Sequence, residues 1–74
     1  MASQFKRNFG KRIRQLRTQR GLSQEQLATA ARLHTTHISL LERGGRSARL
    51  ETVERLAIAL KVQPAQLMPK IDVD

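Results

Sequence analysis

Apolar residues fall along this chain at spacings of three and four, and short polar breaks divide them into segments that each predict a helix. Phe5, Phe9, Ile13 and Leu16 make one stripe, with Arg7, Lys11 and Arg14 on the opposite side. This first helix is expected to stop near Arg20, because Gly21 supplies the left-handed residue that closes helices. Ser23 then reads as the N-cap of a second helix, Gln26 as its capping-box partner, and Leu22 with Leu27 as a hydrophobic staple. Leu27, Ala28 and Ala31 give that helix a face of mostly small residues, and it ends around Arg32 with Leu33 buried in the turn.

A third helix is expected over roughly Thr35 to Arg43, with Ile38 and Leu41 as core contacts and Gly44-Gly45 as its stop. A fourth runs from about Leu50 to Leu60, with Val53, Leu56, Ala57 and Leu60 on one stripe. Pro64 suits the first turn of a short fifth helix ending near Met68, before Pro69. The tail KIDVD reads as a fray or a small contact. No repeat or linker interrupts the pattern, so the chain reads as one all-helical domain over residues 1–74.

Composition sharpens this picture. The chain has 74 residues, 39% of them hydrophobic, close to the size at which one core barely supports folding, so a partner that buries more surface is plausible. It contains no cysteine, which removes disulfides, thiolate zinc sites and thiol catalysis. No apolar run reaches the roughly 20 residues of a membrane span, and MASQFKRNFG lacks a secretory apolar region, so a cytoplasmic setting is expected. The net charge of +8 is uneven: residues 1–49 carry +9 and residues 50–74 carry −1. One part of the molecule is built to face a polyanion.

Thr35, Thr36, His37, Ser39 and Leu40 lie off the core stripe of the third helix. Two short helices joined by a turn, the second with a polar outer face, meet the requirements of major-groove readout. The pattern alone also fits a solvated helix face.

The runs IRQLRTQRGLSQEQLA, THISLLERG and LETVERLAIALKV, in that order over about residues 9–68, resemble the Cro/C1-type (XRE) helix-turn-helix family. The chain length and the run ISLLERGGRS further resemble the controller proteins of restriction-modification systems. The resemblance implies an all-α, five-helix, lambda-repressor-like fold with the helix-turn-helix over about residues 23–43. It implies that Gln24 anchors a DNA phosphate, that Thr35, Thr36, His37 and Ser39 read bases and line the groove, and that Arg43 and Arg46 contact phosphate or a base edge. Arg17 and Glu42 match an ion pair between the first and third helices, and a lone acid in so basic a half needs such a partner.

Three features depart from that family's pattern. His34 stands where Asp, Ser or Thr usually caps the recognition helix, which predicts a weak cap. Neither Thr35 nor Thr36 can make a bidentate base contact, so Arg46, thymine methyl groups and DNA shape are expected to carry more of the specificity. Leu40 fits either a thymine methyl contact or packing inside the domain.

His34 and His37 have the spacing of metal ligands but no evident third ligand, and Gly44-Gly45-Arg46-Ser47 lacks the spacing of a phosphate-binding loop. No nucleophile, base and orienting group stand together. The chain is therefore expected to be neither an enzyme nor a cofactor or small-molecule binder. The expected function is sequence-specific transcription regulation by a homodimer on a palindromic operator in double-stranded DNA, with half-sites roughly 34 Å apart or a multiple of it. RNA polymerase is a candidate further partner. Leu50, Val53, Leu60, Val62, Leu67, Met68 and Ile71, in the near-neutral C-terminal part, are the expected dimer interface. The alternatives are an antitoxin or adaptor working through a protein partner, and a membrane-active cationic protein using the first helix.

Overall fold

The computed structural model describes residues 4–71, which form five helices and no strand: α1 (Gln4–Gln19), α2 (Gln24–Ala31), α3 (Thr35–Glu42), α4 (Leu50–Leu60) and α5 (Pro64–Leu67). The helix order and bounds expected from the apolar spacing are reproduced to within a residue or two. Asp72, Val73 and Asp74 of the KIDVD tail lie outside the described residues.

The first four helices end in the same way. After α1 the Leu22 N–H donates to Arg17 O (3.1 Å) and the Gly21 N–H to Thr18 O (3.0 Å), and after α3 the Gly45 N–H donates to Leu40 O (2.9 Å) and the Gly44 N–H to Leu41 O (3.1 Å). This double bond pattern satisfies the last carbonyls and needs a left-handed residue, which Gly21 (φ 69°) and Gly44 (φ 73°) adopt without a Cβ penalty. At the ends of α2 and α4 the same place is taken by Arg32 (φ 58°) and Lys61 (φ 59°). A side chain there is unfavourable by roughly 1 kcal/mol, so tertiary packing rather than local preference holds those two turns.

The core joins Phe9, Ile13 and Leu16 of α1 to Leu27, Ala28 and Ala31 of α2, Ile38 and Leu41 of α3, Val53, Leu56, Ala57 and Leu60 of α4, and Leu67 of α5. Leu22, Leu33 and Val62 are half-buried against it. Fully burying one Leu or Ile contributes about 2 kcal/mol, so a core this small depends on every helix contributing. Arg12 ties α1 to α5 through Nε donating to Gln66 O (2.7 Å), and Arg20 ties α1 to the end of α4 through Nη2 donating to Lys61 O (3.2 Å).

α1 and α3 approach so closely that only glycine fits at position 10. A Cβ there would collide with Leu41 O and lie 2.7 Å from Glu42 O. Backbone carbonyls cannot rotate away as a side-chain tip can, so this contact fixes α3 against α1.

The residues expected at the dimer interface divide between core and surface. Val53, Leu60 and Leu67 are buried in the core of their own chain, Leu60 and Leu67 completely. Leu50, Met68 and Ile71 are exposed, and so is Ile58, on the side of α4 opposite the core. Phe5 also departs from its place on the apolar stripe. It is 38% exposed at the rim of a half-open apolar groove of about 180 Å³ that Phe9, Ala48, Val53 and Met68 also line.

Candidate nucleic-acid interface

The α2 start is built by local hydrogen bonds. Ser23 Oγ accepts from the Gln26 N–H (3.0 Å), and Gln26 Oε1 accepts from the Ser23 N–H (2.8 Å). Helix geometry gives first-turn N–H groups no partner within the helix, and this box takes up two of them, leaving those of Gln24 and Glu25 directed outward. Such N–H groups, at the positive end of the helix dipole, favour an anion.

Arg32, Leu33 and His34 form the turn between α2 and α3. α3 starts with His34 in extended backbone and no side-chain cap, matching the weak cap expected from its sequence. Ile38 and Leu41 are fully enclosed on its inner side. Thr35 and Thr36 are exposed, and His37, Ser39 and Leu40 are half-buried on the outer side. Arg43 caps the helix and Arg46 follows in the next loop, both exposed. Leu40 lies along the closing turn, its Cδ2 3.7 Å from where a side chain on Gly45 would start, so part of its surface packs within the domain.

Burial holds the His37 imidazole below its ordinary pKa of 6.5, with Arg46 and then His34 adding repulsion. His37 is therefore neutral at neutral pH, and the Arg46 guanidinium lies within electrostatic reach of the outer face of α3. No third metal-ligating side chain joins the two histidines among the described residues.

At the inner end of α3, the side chain of Glu42 is 3% exposed and paired with Arg17. Arg17 Nε donates to Glu42 Oε2 (2.6 Å), Nη2 donates to Oε1 (3.1 Å), and Nη1 donates to Leu22 O (2.8 Å). The expected ion pair is thus present and also holds the turn before α2. Gln24, expected at the protein surface as a phosphate anchor, is half-buried, and its Nε2 donates to Glu42 Oε1 (3.1 Å).

The basic half is therefore not uniformly directed at a polyanion, since Arg12, Arg17 and Arg20 hold other parts of the fold. Sequence reasoning passed over Gly10, whose place beside Phe9 and three residues before Ile13 is the signal it offered. It also had no means of linking Gln24 to Glu42. Among the described residues, no helix is long and apolar enough to cross a membrane.

Comparison with known proteins accords with this geometry. Residues 13–67 match the family described as helix-turn-helix. The control protein C.BamHI of Bacillus amyloliquefaciens is 41% identical over 69 residues, covering 92% of this chain and 85% of that protein. The solved restriction-modification controller protein C.AhdI from Aeromonas hydrophila is 42% identical with a TM-score of 0.82, over 84% of this chain and 94% of that one. The clp gene regulator ClgR from C. glutamicum is 26% identical with a TM-score of 0.82, over 88% of this chain and 84% of that one. On the strength of the family match over residues 13–67 and of the 41% identity to C.BamHI, the chain belongs to the Cro/C1-type helix-turn-helix family.

Proposed function

We propose that the chain is a sequence-specific, DNA-binding transcription regulator of the restriction-modification controller class, acting in the cytoplasm as a homodimer on an imperfectly palindromic operator. The observation that carries this reading is the two-sided α3, locked inward by Ile38, Leu41 and Glu42 while Thr35, Thr36, His37 and Ser39 face outward beside Arg46. α3 enters the major groove, where short polar side chains reach base edges. Gln24 and the free N–H groups at the start of α2 hold a phosphate, and Arg43 and Arg46 flank the groove. Dimerisation uses the exposed apolar residues Leu50, Ile58, Met68 and Ile71, together with half-buried Val62. At a promoter, RNA polymerase is the proposed protein partner.

A gel-shift titration on the DNA upstream of its own gene, with random duplex as competitor, tests the reading. Preference of about 10³-fold or more for one palindromic site, with affinity falling steeply as salt rises, is the expected result. Equal retention of both DNAs would reject it in favour of an adaptor or antitoxin. Sedimentation of an Ile58→Glu variant tests the interface, since a dimer as tight as the parent would place the contact elsewhere.

A further inference from the structure

We infer that Glu42 is a positioning residue for DNA phosphate, orienting the Gln24 side-chain amide so that its nitrogen and not its carbonyl oxygen meets the backbone of the nucleic acid. The inference rests on the DNA-binding reading above and adds to it a role for an acid that otherwise serves only as the partner of Arg17.

Glu42 Oε1 lies 3.1 Å from Gln24 Nε2 and 3.1 Å from Arg17 Nη2, and Oε2 lies 2.6 Å from Arg17 Nε. A primary amide carries two N–H groups on one nitrogen. One is donated to Glu42, and the second is left for an acceptor outside the domain. The flipped amide would set its carbonyl oxygen against the carboxylate, two acceptors facing each other, so the carboxylate selects one orientation. Released from Glu42, a glutamine on the first turn of α2 would turn about its rotatable bonds, and the phosphate would have to select the N–H orientation at the cost of ordering the side chain.

Arg17 completes the device. It neutralises Glu42, so the carboxylate does not repel the phosphate that Gln24 serves. Its Nη1 also donates to Leu22 O (2.8 Å), fixing the turn from which the Ser23 cap and the first N–H groups of α2 are projected. Side chains from α1, α2 and α3 thus meet at one carboxylate. Both parts of the phosphate seat, backbone and amide, are set by the same ion pair.

A thermodynamic cycle tests whether the value of Gln24 depends on the ion pair. Gln24→Ala is compared in the natural chain and in a background carrying Arg17→Met with Glu42→Met. That double change removes both charges together and leaves no unpaired ion in the interior, which protects folding. Binding to operator and to random duplex is measured at a temperature where circular dichroism shows all four chains folded. In the natural background Gln24→Ala weakens binding to both DNAs by roughly tenfold. In the doubly substituted background the same change should cost less than about threefold, because the amide is already disoriented. An equal loss in both backgrounds overturns the inference while leaving DNA binding standing. Failure of the natural chain to bind any DNA overturns the underlying reading and this inference with it.

The natural chain alone supplies a second measurement. By nuclear relaxation, the Gln24 side-chain amide should be nearly as ordered as the backbone, whereas that of exposed Gln19 moves freely. Equal mobility at the two positions would reject the positioning role whatever the folding of the variants.

Discussion

The inner and outer sides of α3 differ in what they contact. Inward, Ile38 and Leu41 are fully enclosed, Gly10 lets α1 touch the helix backbone, and Glu42 is held by Arg17. Outward, Thr35 and Thr36 are exposed, and the first turn lacks the side-chain cap that Ser23 gives α2. One side is saturated by contacts within the chain and the other is left for a partner. On the proposed DNA-binding reading, stability and recognition occupy the same eight residues but are separable by substitution.

The largest break in that contrast should come from the inner side. Gly10→Ala is expected to lower the unfolding free energy by about 3 kcal/mol, because the added methyl meets backbone carbonyls that cannot move aside. Urea denaturation measures it, and a loss below about 1 kcal/mol would mean that α1 and α3 can slide apart. Next come Thr36→Ala and Arg46→Ala on the outer side. Each should weaken operator binding roughly tenfold more than binding to random duplex, with unchanged melting. Equal loss on both DNAs would remove the base-reading role.

A smaller change should sharpen the contrast. His34→Ser offers the first turn of α3 the hydroxyl cap it lacks and is expected to raise stability by about 1 kcal/mol. An unaltered melting temperature would show that the turn is satisfied in another way. The smallest effect is the titration of His37. Its folded pKa lies below the 6.5 of the unfolded chain, so the unfolded state takes up the proton first. The resulting stability is full above pH 6.5 and is lost as pH falls through the folded value. Proton NMR should find His37 titrating below 6.5, and Arg46→Ala should move it partway up, since burial remains the larger cause. No movement would place Arg46 too far away to act.

Local chemistry was the most legible part of the sequence. The Ser23 and Gln26 box and the stops at Gly21 and Gly44 depend on residues a few positions apart, and each takes the expected form. Leu50, Val53, Leu60 and Leu67 show the limit of periodicity. A stripe identifies residues that avoid water, but only the packed fold tells which are covered by their own chain. Ile58 lies off the stripe, where periodicity carries no signal. Gly10 reads in isolation as a weak point in a helix, and its necessity comes from the carbonyls of Leu41 and Glu42, more than thirty residues away. Gln24 was expected as a phosphate anchor from its family position, yet its tie to Glu42 crosses between helices and leaves no trace in spacing.

The contact at Gly10 also bears on mechanics. With α3 seated against α1 through backbone atoms, and pinned again at Arg17, the helix has little freedom to rock or slide within its own chain. Two such subunits in a dimer would present their reading helices at a separation set by the protein. Any mismatch with the helical repeat of an operator then has to be absorbed by the duplex, through bending or twisting of base steps between the half-sites. The rigidity of one helix crossing would thereby make the deformability of DNA that the protein never touches part of what it selects.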